Sequence, residues 1–282
     1  MSENATTNMD VSRLSRRWAL KTGIGALVCL GVGVWGYVDA TMVYPKRGYR
    51  AAEQFEQSYL EAMRESGRGL ERASVDDPVG KFGELSKAKA EGGKLGTADE
   101  TLHAWLESLK LVSKLGPENT KIPRKDFRSG GEVRTAAERL DALSKIKGGK
   151  VSPLSAWDIP SQWLIMVVFL AFGAWLGALF VRVAGRKYRW EAGTQTLTLP
   201  GGQKVTPGDV AEFDKRKWDK FLVTLAIKES HPTLGGQRVV VDLYRHEPVE
   251  EWILAMERTA SAEAAEPKVE GGRAEESGSG TQ

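Results

Sequence analysis

The chain of 282 residues has a single cysteine, Cys29, and only three histidines. One thiol excludes a disulfide framework, and histidines as far apart as His103, His231 and His246 exclude most zinc sites. An excess of one charge is also missing. Forty Lys and Arg against 37 Asp and Glu leave +3, too near neutrality for a nucleic-acid binder acting through its overall field. Phosphate-loop spacing is absent, because Gly92-Gly93-Lys94 and Gly148-Gly149-Lys150 lack both the upstream glycine and the hydroxyl after the lysine. His246-Glu247-Pro248-Val249-Glu250 begins like a zincin helix but has Glu at the second His position and a proline that forbids mid-helix geometry. Gly278-Ser279-Gly280 is tail composition rather than a nucleophile elbow, which follows a strand. The carboxylates are dispersed, and no catalytic residue, cofactor or metal site is nominated.

What is present is local apolarity. Ile159 to Val181 carries no charge over 23 residues, a helix of about 34 Å against a hydrocarbon core of about 30 Å. Eleven residues from Trp163 to Val181 are Leu, Ile, Val or Phe, giving an insertion term of about 3 to 7 kcal/mol. Trp157, Trp163, Tyr188 and Trp190 stand where interfacial aromatics belong. The first run, Thr22 to Val38, contains five glycines and seven strongly apolar aliphatics, so its term is about 2 to 4 kcal/mol. It reads as an uncleaved anchor over 18–44. The rival reading is a signal sequence, since Ser15-Arg16-Arg17-Trp18-Ala19-Leu20-Lys21 resembles a twin-arginine export signal and Val38-Asp39-Ala40 offers a cleavage site. Cys29 is expected as a small thiol buried in the membrane.

Arg13, Arg16, Arg17 and Lys21 precede the first run, and Arg182, Arg186, Lys187 and Arg189 follow the second. The positive-inside rule therefore expects a two-pass protein of the bacterial inner membrane with both termini cytoplasmic. The expected divisions are a cytoplasmic tail at 1–17, the first membrane helix at 18–44, a helical extracytoplasmic domain at 45–156, the second membrane helix at 159–181, a cytoplasmic domain at 182–259 and a disordered tail at 260–282. Residues 1–11 are expected to lack structure as well.

Three amphipathic stripes fill the outer segment. Ala52, Phe55, Tyr59 and Met63 recur at three and four residues. Leu102, Trp105, Leu109, Val112 and Leu115 follow Thr97-Ala98-Asp99-Glu100, which has capping-box spacing. Val133, Ala137, Leu140, Leu143 and Ile146 make the third stripe. The aromatics are expected in the core, His103 on the surface, and 66–96 and 116–131 as mobile connections.

Past Gly185 the period changes to alternation. Strands are expected around Tyr188–Ala192, Thr196–Leu199, Val210–Phe213, Phe221–Ile227 and Arg238–Tyr244, followed by a helix from Pro248 to Thr259 that buries Val249, Trp252, Ile253 and Met256. This order, with Val210-Ala211-Glu212-Phe213-Asp214-Lys215-Arg216-Lys217-Trp218-Asp219-Lys220 ahead of the long strand, resembles pleckstrin-homology-like domains of small bacterial membrane proteins over about 75 residues. The resemblance implies seven strands closed by one helix; five or six are countable here, so the barrel is expected to be incomplete or edge-paired. The expected fold class is thus a membrane-anchored α+β chain: two transmembrane helices, an α-helical extracytoplasmic domain and a C-terminal PH-like β-barrel or sheet capped by one helix.

Lys215, Arg216, Lys217 and Lys220 are the candidate residues for anionic lipid headgroups or a protein partner, each able to gain about 1 kcal/mol near such a surface. A solvated turn is the plainer reading, because Asp214 and Asp219 interrupt the cluster. Gly173 and Gly177 match the small-residue helix-contact spacing, with the first membrane helix or a second copy of the chain as the expected partner. Nucleic acid is not an expected partner. The sequence thus points to a non-enzymatic membrane binding or scaffold protein. Its rivals are an exported protein with a cleaved leader and one anchor, and a membrane enzyme whose site is invisible in sequence.

Overall fold

A computed structural model describes residues 9–146, 149 and 151–265, and divides the chain into two compact units: Val28–Phe172, and Met1–Leu27 together with Gly173–Gln282. It contains helices, several small antiparallel sheets and two helices long and apolar enough to cross a membrane. The expected disorder of residues 1–8 and 266–282 lies outside the described residues.

The first apolar helix, α1 (Arg16–Val38), runs through a π-helical turn at Asp39–Val43 into α2 (Tyr44–Glu65), a helical stretch of 50 residues. Pro45 sits in the first turn of α2, where its missing N–H and fixed φ are tolerated. The second apolar helix, α7, spans Asp158–Ala184. Only 6% of its most apolar window is buried, and Leu164 and Val181 are 65% and 70% exposed, which is not the surface of a helix filling a soluble core. In both units the two helices meet. Trp18 stacks on Phe180 with centroids 5.7 Å apart, and Gly25 faces Leu176. Gly33 lies against Leu170, and Gly36 against Gln162 and Met166, so closely that a Cβ at Gly36 would stand 3.1 Å from backbone atoms of α7. Small residues permit that approach.

In the central unit α2 packs along α4 (Thr97–Leu111), with α3 (Pro78–Ala90), the short α5 (Pro117–Thr120) and α6 (Ala136–Ser144) around them. Its core holds Tyr59, Leu60, Met63, Leu102, Trp105, Leu106, Leu109, Leu140 and Leu143. Helix α3 occupies part of the stretch expected to be mobile. Asp77 caps it by accepting from the Gly80 N–H at 2.9 Å, and Leu85 anchors it. Its presence explains why His103 is buried rather than on the surface: the ring stacks on Phe82 at 5.2 Å and lies 3.1 Å from Ser86 Oγ. Helix α4 takes Gly96 as its N-cap, so the expected capping box at Thr97 is not formed. Helix α6 buries Ala136, Arg139, Leu140 and Leu143, whereas Ala137 and Ile146 face outward.

The terminal unit joins residues from Met9 onward to those that follow the second apolar helix. Strand β1 (Met9–Val11) pairs with β5 (Arg189–Glu191), which continues to β6 (Thr196–Thr198) and β7 (Lys204–Val205), giving the sheet order β1-β5-β6-β7. Strand β2 (Arg13–Leu14) pairs with β11 (His246–Glu247). A third sheet, β10-β9-β8, is formed by β8 (Val210–Asp214), β9 (Leu222–Ile227) and β10 (Arg238–Asp242). The two-residue strands β3 (Arg124–Lys125) and β4 (Glu132–Val133) belong to the central unit. Helix α8 (Val249–Ala265) buries Val249, Trp252, Ile253 and Met256 against Trp190, Leu197, Val223, Leu225 and Val241.

Three features here lie outside the expectation. Residues 9–11, read as unstructured, are a strand, and α8 continues six residues past Thr259 into the stretch read as tail. Seven strands follow α7 where five or six were countable. The additional pairings are too short to show alternation, since β7 and β11 are two residues each.

Candidate functional site

The four basic residues singled out in sequence lie between β8 and β9. Arg216 makes a two-armed contact with Asp214, Nε to Oδ1 at 2.9 Å and Nη2 to Oδ2 at 2.6 Å, and this hydrogen bonding holds the Asp214 carboxyl well below its ordinary range. Lys215 donates to Glu257 of α8 and stands 5.4 Å from the centre of the Trp218 ring. Lys217 and Lys220 are exposed. Two of the four charges are therefore matched within the unit, and the surface that remains is the pair Lys217 and Lys220. Of the two glycines expected at a helix contact, Gly173 is buried and Gly177 has open space where a side chain would be.

Around these lysines the end of the β9-β10 pair meets the start of α1. A 3₁₀ turn at Trp218–Lys220 ends on Phe221, whose φ of 56° lies in the left-handed region. The Phe221 carbonyl accepts from the Leu243 N–H at 2.8 Å, which places the Phe221 ring beside Tyr244, centroids 5.6 Å apart. Lys21 of α1 stands 5.7 Å from the centre of the Tyr244 ring. On the neighbouring turn the Ser15 N–H donates to the Arg245 carbonyl, Ser12 N–H to the Tyr188 carbonyl and Tyr188 N–H to Ser12 Oγ, each at 2.9 Å. His246, at the β2 pairing, is buried edge-on to Tyr188. Burial, helped by Arg245 and Arg186 and opposed by Asp242, moves its pKa down from the ordinary histidine value.

His231 has a structural role. Its Nδ1 accepts from the N–H groups of Thr233 and Leu234 at 3.2 and 3.0 Å, which makes Nε2–H the donor to the Lys204 carbonyl at 2.9 Å. Nδ1 closes the turn and Nε2 ties it to β7.

The central unit holds a buried charge cluster that sequence reading did not find. Glu56, 1% exposed, receives Arg124 on Oε1 and Arg139 on Oε2, the latter at 2.8 Å; Arg139 also reaches Asp126 at 2.8 Å, and Arg128 meets Glu53 at 2.9 Å. Three acids thus meet three guanidinium groups. Burial raises the pKa of Glu53, with Arg128 and Arg139 opposing. Burial acts the same way on Asp126, but hydrogen bonds from Ser129 and Arg128 together with the Arg139 charge outweigh it and hold that carboxyl low. The Arg124 guanidinium lies 5.9 Å from the centre of Trp105, which stacks on Tyr59 at 5.4 Å, and burial pushes the Tyr59 hydroxyl up to about 12. The only hint of this cluster in sequence is Glu56 next to the apolar stripe of α2.

A cavity of about 630 Å³ in the same unit is lined by Tyr59, Arg68, Arg72, Asp77, Lys81 and Asp99 among others. Its charges are largely matched: Arg68 with Asp99 at 3.0 Å and Lys81 with Glu84 at 3.0 Å. Among the described residues no three His, Cys, Asp or Glu side chains are placed to hold a metal ion. Comparison with protein families, with curated proteins and with solved structures finds no match to this chain.

Proposed function

We propose that this chain is a two-pass integral membrane protein of the bacterial inner membrane that acts by binding or scaffolding. In this reading both termini are cytoplasmic, residues 182–259 form a PH-like module with the N-terminal strands, and the helical unit is extracytoplasmic. The observation that carries it is the pairing of β1 and β2, which precede the first apolar helix, with β5 and β11, which follow the second. Segments that flank two membrane crossings and share one sheet occupy one side of the bilayer, and the arginines and lysines at both places support the cytoplasmic side. A cleaved leader would carry β1 and β2 away, leaving β11 unpaired and β5 with β6 alone, so the pairing favours a retained anchor.

The module reading is supported by seven strands and a C-terminal helix around one apolar core. Lys217 and Lys220 are its candidate contacts for anionic headgroups or a partner protein; Lys215 and Arg216 contribute less, being paired to Glu257 and Asp214. Compartment-specific reporters test the scheme. Fusions at the N-terminus and the C-terminus are expected to report the cytoplasm, and one inserted between α3 and α4 the opposite side; termini in different compartments would overturn it.

A further inference from the structure

We infer that Phe221, with Tyr244, Lys21 and Lys220, forms an interfacial anchor that seats the terminal unit on the lipid headgroup layer beside the entry point of α1. The inference rests on the reading that α1 crosses the bilayer, and it names the part of the module that touches lipid. Lys21 is the last charged residue before the uncharged run Thr22–Val38, so its ammonium marks the headgroup level. Its position 5.7 Å from the centre of the Tyr244 ring puts that ring at the same level, and Phe221 is the ring's neighbour at 5.6 Å.

Phe221 has one property that packing within the unit does not explain. Its side chain is 49% exposed, although an aromatic ring ordinarily gains by burial. Its left-handed backbone belongs to the turn, where the Phe221 N–H donates to the Trp218 carbonyl at 2.8 Å. The exposure follows if the ring's apolar surroundings are lipid rather than protein. Lys220 and Lys217 precede it, exposed, where phosphate groups would lie. The register of β9 against β10 sets the opposite end of the unit well away: Leu222 pairs with Asp242 at the Phe221 end, Ala226 with Arg238 at the other, and Glu229 lies beyond.

The test uses the full chain reconstituted in vesicles of phosphatidylcholine with a minority of phosphatidylglycerol. A polarity-sensitive dye is attached at one cysteine, with lipid nitroxides placed either at the headgroup or deep in the acyl chain. On a Cys29→Ser background, dye at Phe221→Cys and, separately, at Lys220→Cys is expected to be quenched by the headgroup nitroxide about twofold or more above dye at Glu229→Cys, as side chains at the interface require. Lys220→Cys leaves the Phe221 ring in place, so it reports even if the first variant is misfolded. Dye on native Cys29, within α1, reads the underlying assumption through the deep nitroxide. Strong quenching at Cys29 with none above the Glu229 level at 220 and 221 would overturn the anchor and leave the membrane reading standing; no quenching at Cys29 would overturn both.

Discussion

Replacing Glu56 by Ala is expected to destabilise the central unit by about 3–5 kcal/mol, the usual consequence of leaving buried charges without their partner. Two guanidinium groups converge on this one carboxylate, with the Arg124 and Arg139 side chains 2% and 7% exposed. Neither can turn to water without opening the contact of α2 with α6 or displacing β3. The measurement is urea unfolding of the full chain in micelles, followed by near-ultraviolet circular dichroism. Glu56→Gln keeps the volume and one acceptor, so a smaller loss is expected from it. Pairing Glu56→Gln with Arg139→Gln is expected to cost less than the two changes added together, by about 0.5–3 kcal/mol, because the second removes a charge that the first has stranded. Strict additivity would mean that the two residues act independently.

The second large effect is expected from the N-terminus. Deleting residues 9–14 removes the partner strands of β5 and β11, the Ser12 hydroxyl that accepts from Tyr188 N–H and the donor N–H of Ser12. At about 0.5–1.5 kcal/mol for each net hydrogen bond, the expected loss is roughly 2–5 kcal/mol in the terminal unit. Limited proteolysis reads it as faster cleavage within 186–260, while the central unit is cut at an unchanged rate. Ser12→Ala, which deletes only the hydroxyl contact, is expected to cost about 1 kcal/mol. An unchanged cleavage pattern in the deletion variant would mean that β1 and β2 contribute nothing to the fold.

What sequence makes legible here follows from the range of the interactions concerned. The two apolar helices are a local property of composition, and the long strands β9 and β10 carry their apolar, largely β-branched runs within six and five residues. The same holds for α8, whose Val249, Trp252, Ile253 and Met256 recur on one face and are buried as expected. Features fixed by distant partners were not legible. Arg139 reads as a solvent-facing residue of α6 until Glu56, 83 positions earlier, is placed beside it. Met9–Val11 has too few residues to show a period, and its strand exists only because β5 offers an edge. His103 reads as exposed because α3, which covers it, is rich in Gly and Lys and shows little apolar periodicity. The basic cluster at 215–220 was visible as charge, but the pairing of Lys215 with Glu257 on the last helix was not.

The central claim is that the segment before the first apolar helix and the one after the second are built into one β-structured unit. Its most direct test is an intramolecular disulfide in intact membranes. Val11 and Arg189 are Cα partners in the antiparallel β1-β5 pair, and both are exposed. Opposed residues in such a pair have Cα atoms about 4.5–5.5 Å apart, within disulfide reach. On a Cys29→Ser background, Val11→Cys with Arg189→Cys is expected to give a crosslinked monomer on mild oxidation, while Val11→Cys with Glu229→Cys gives none. Failure of the first pair to crosslink, or crosslinking only between chains, would contradict the account.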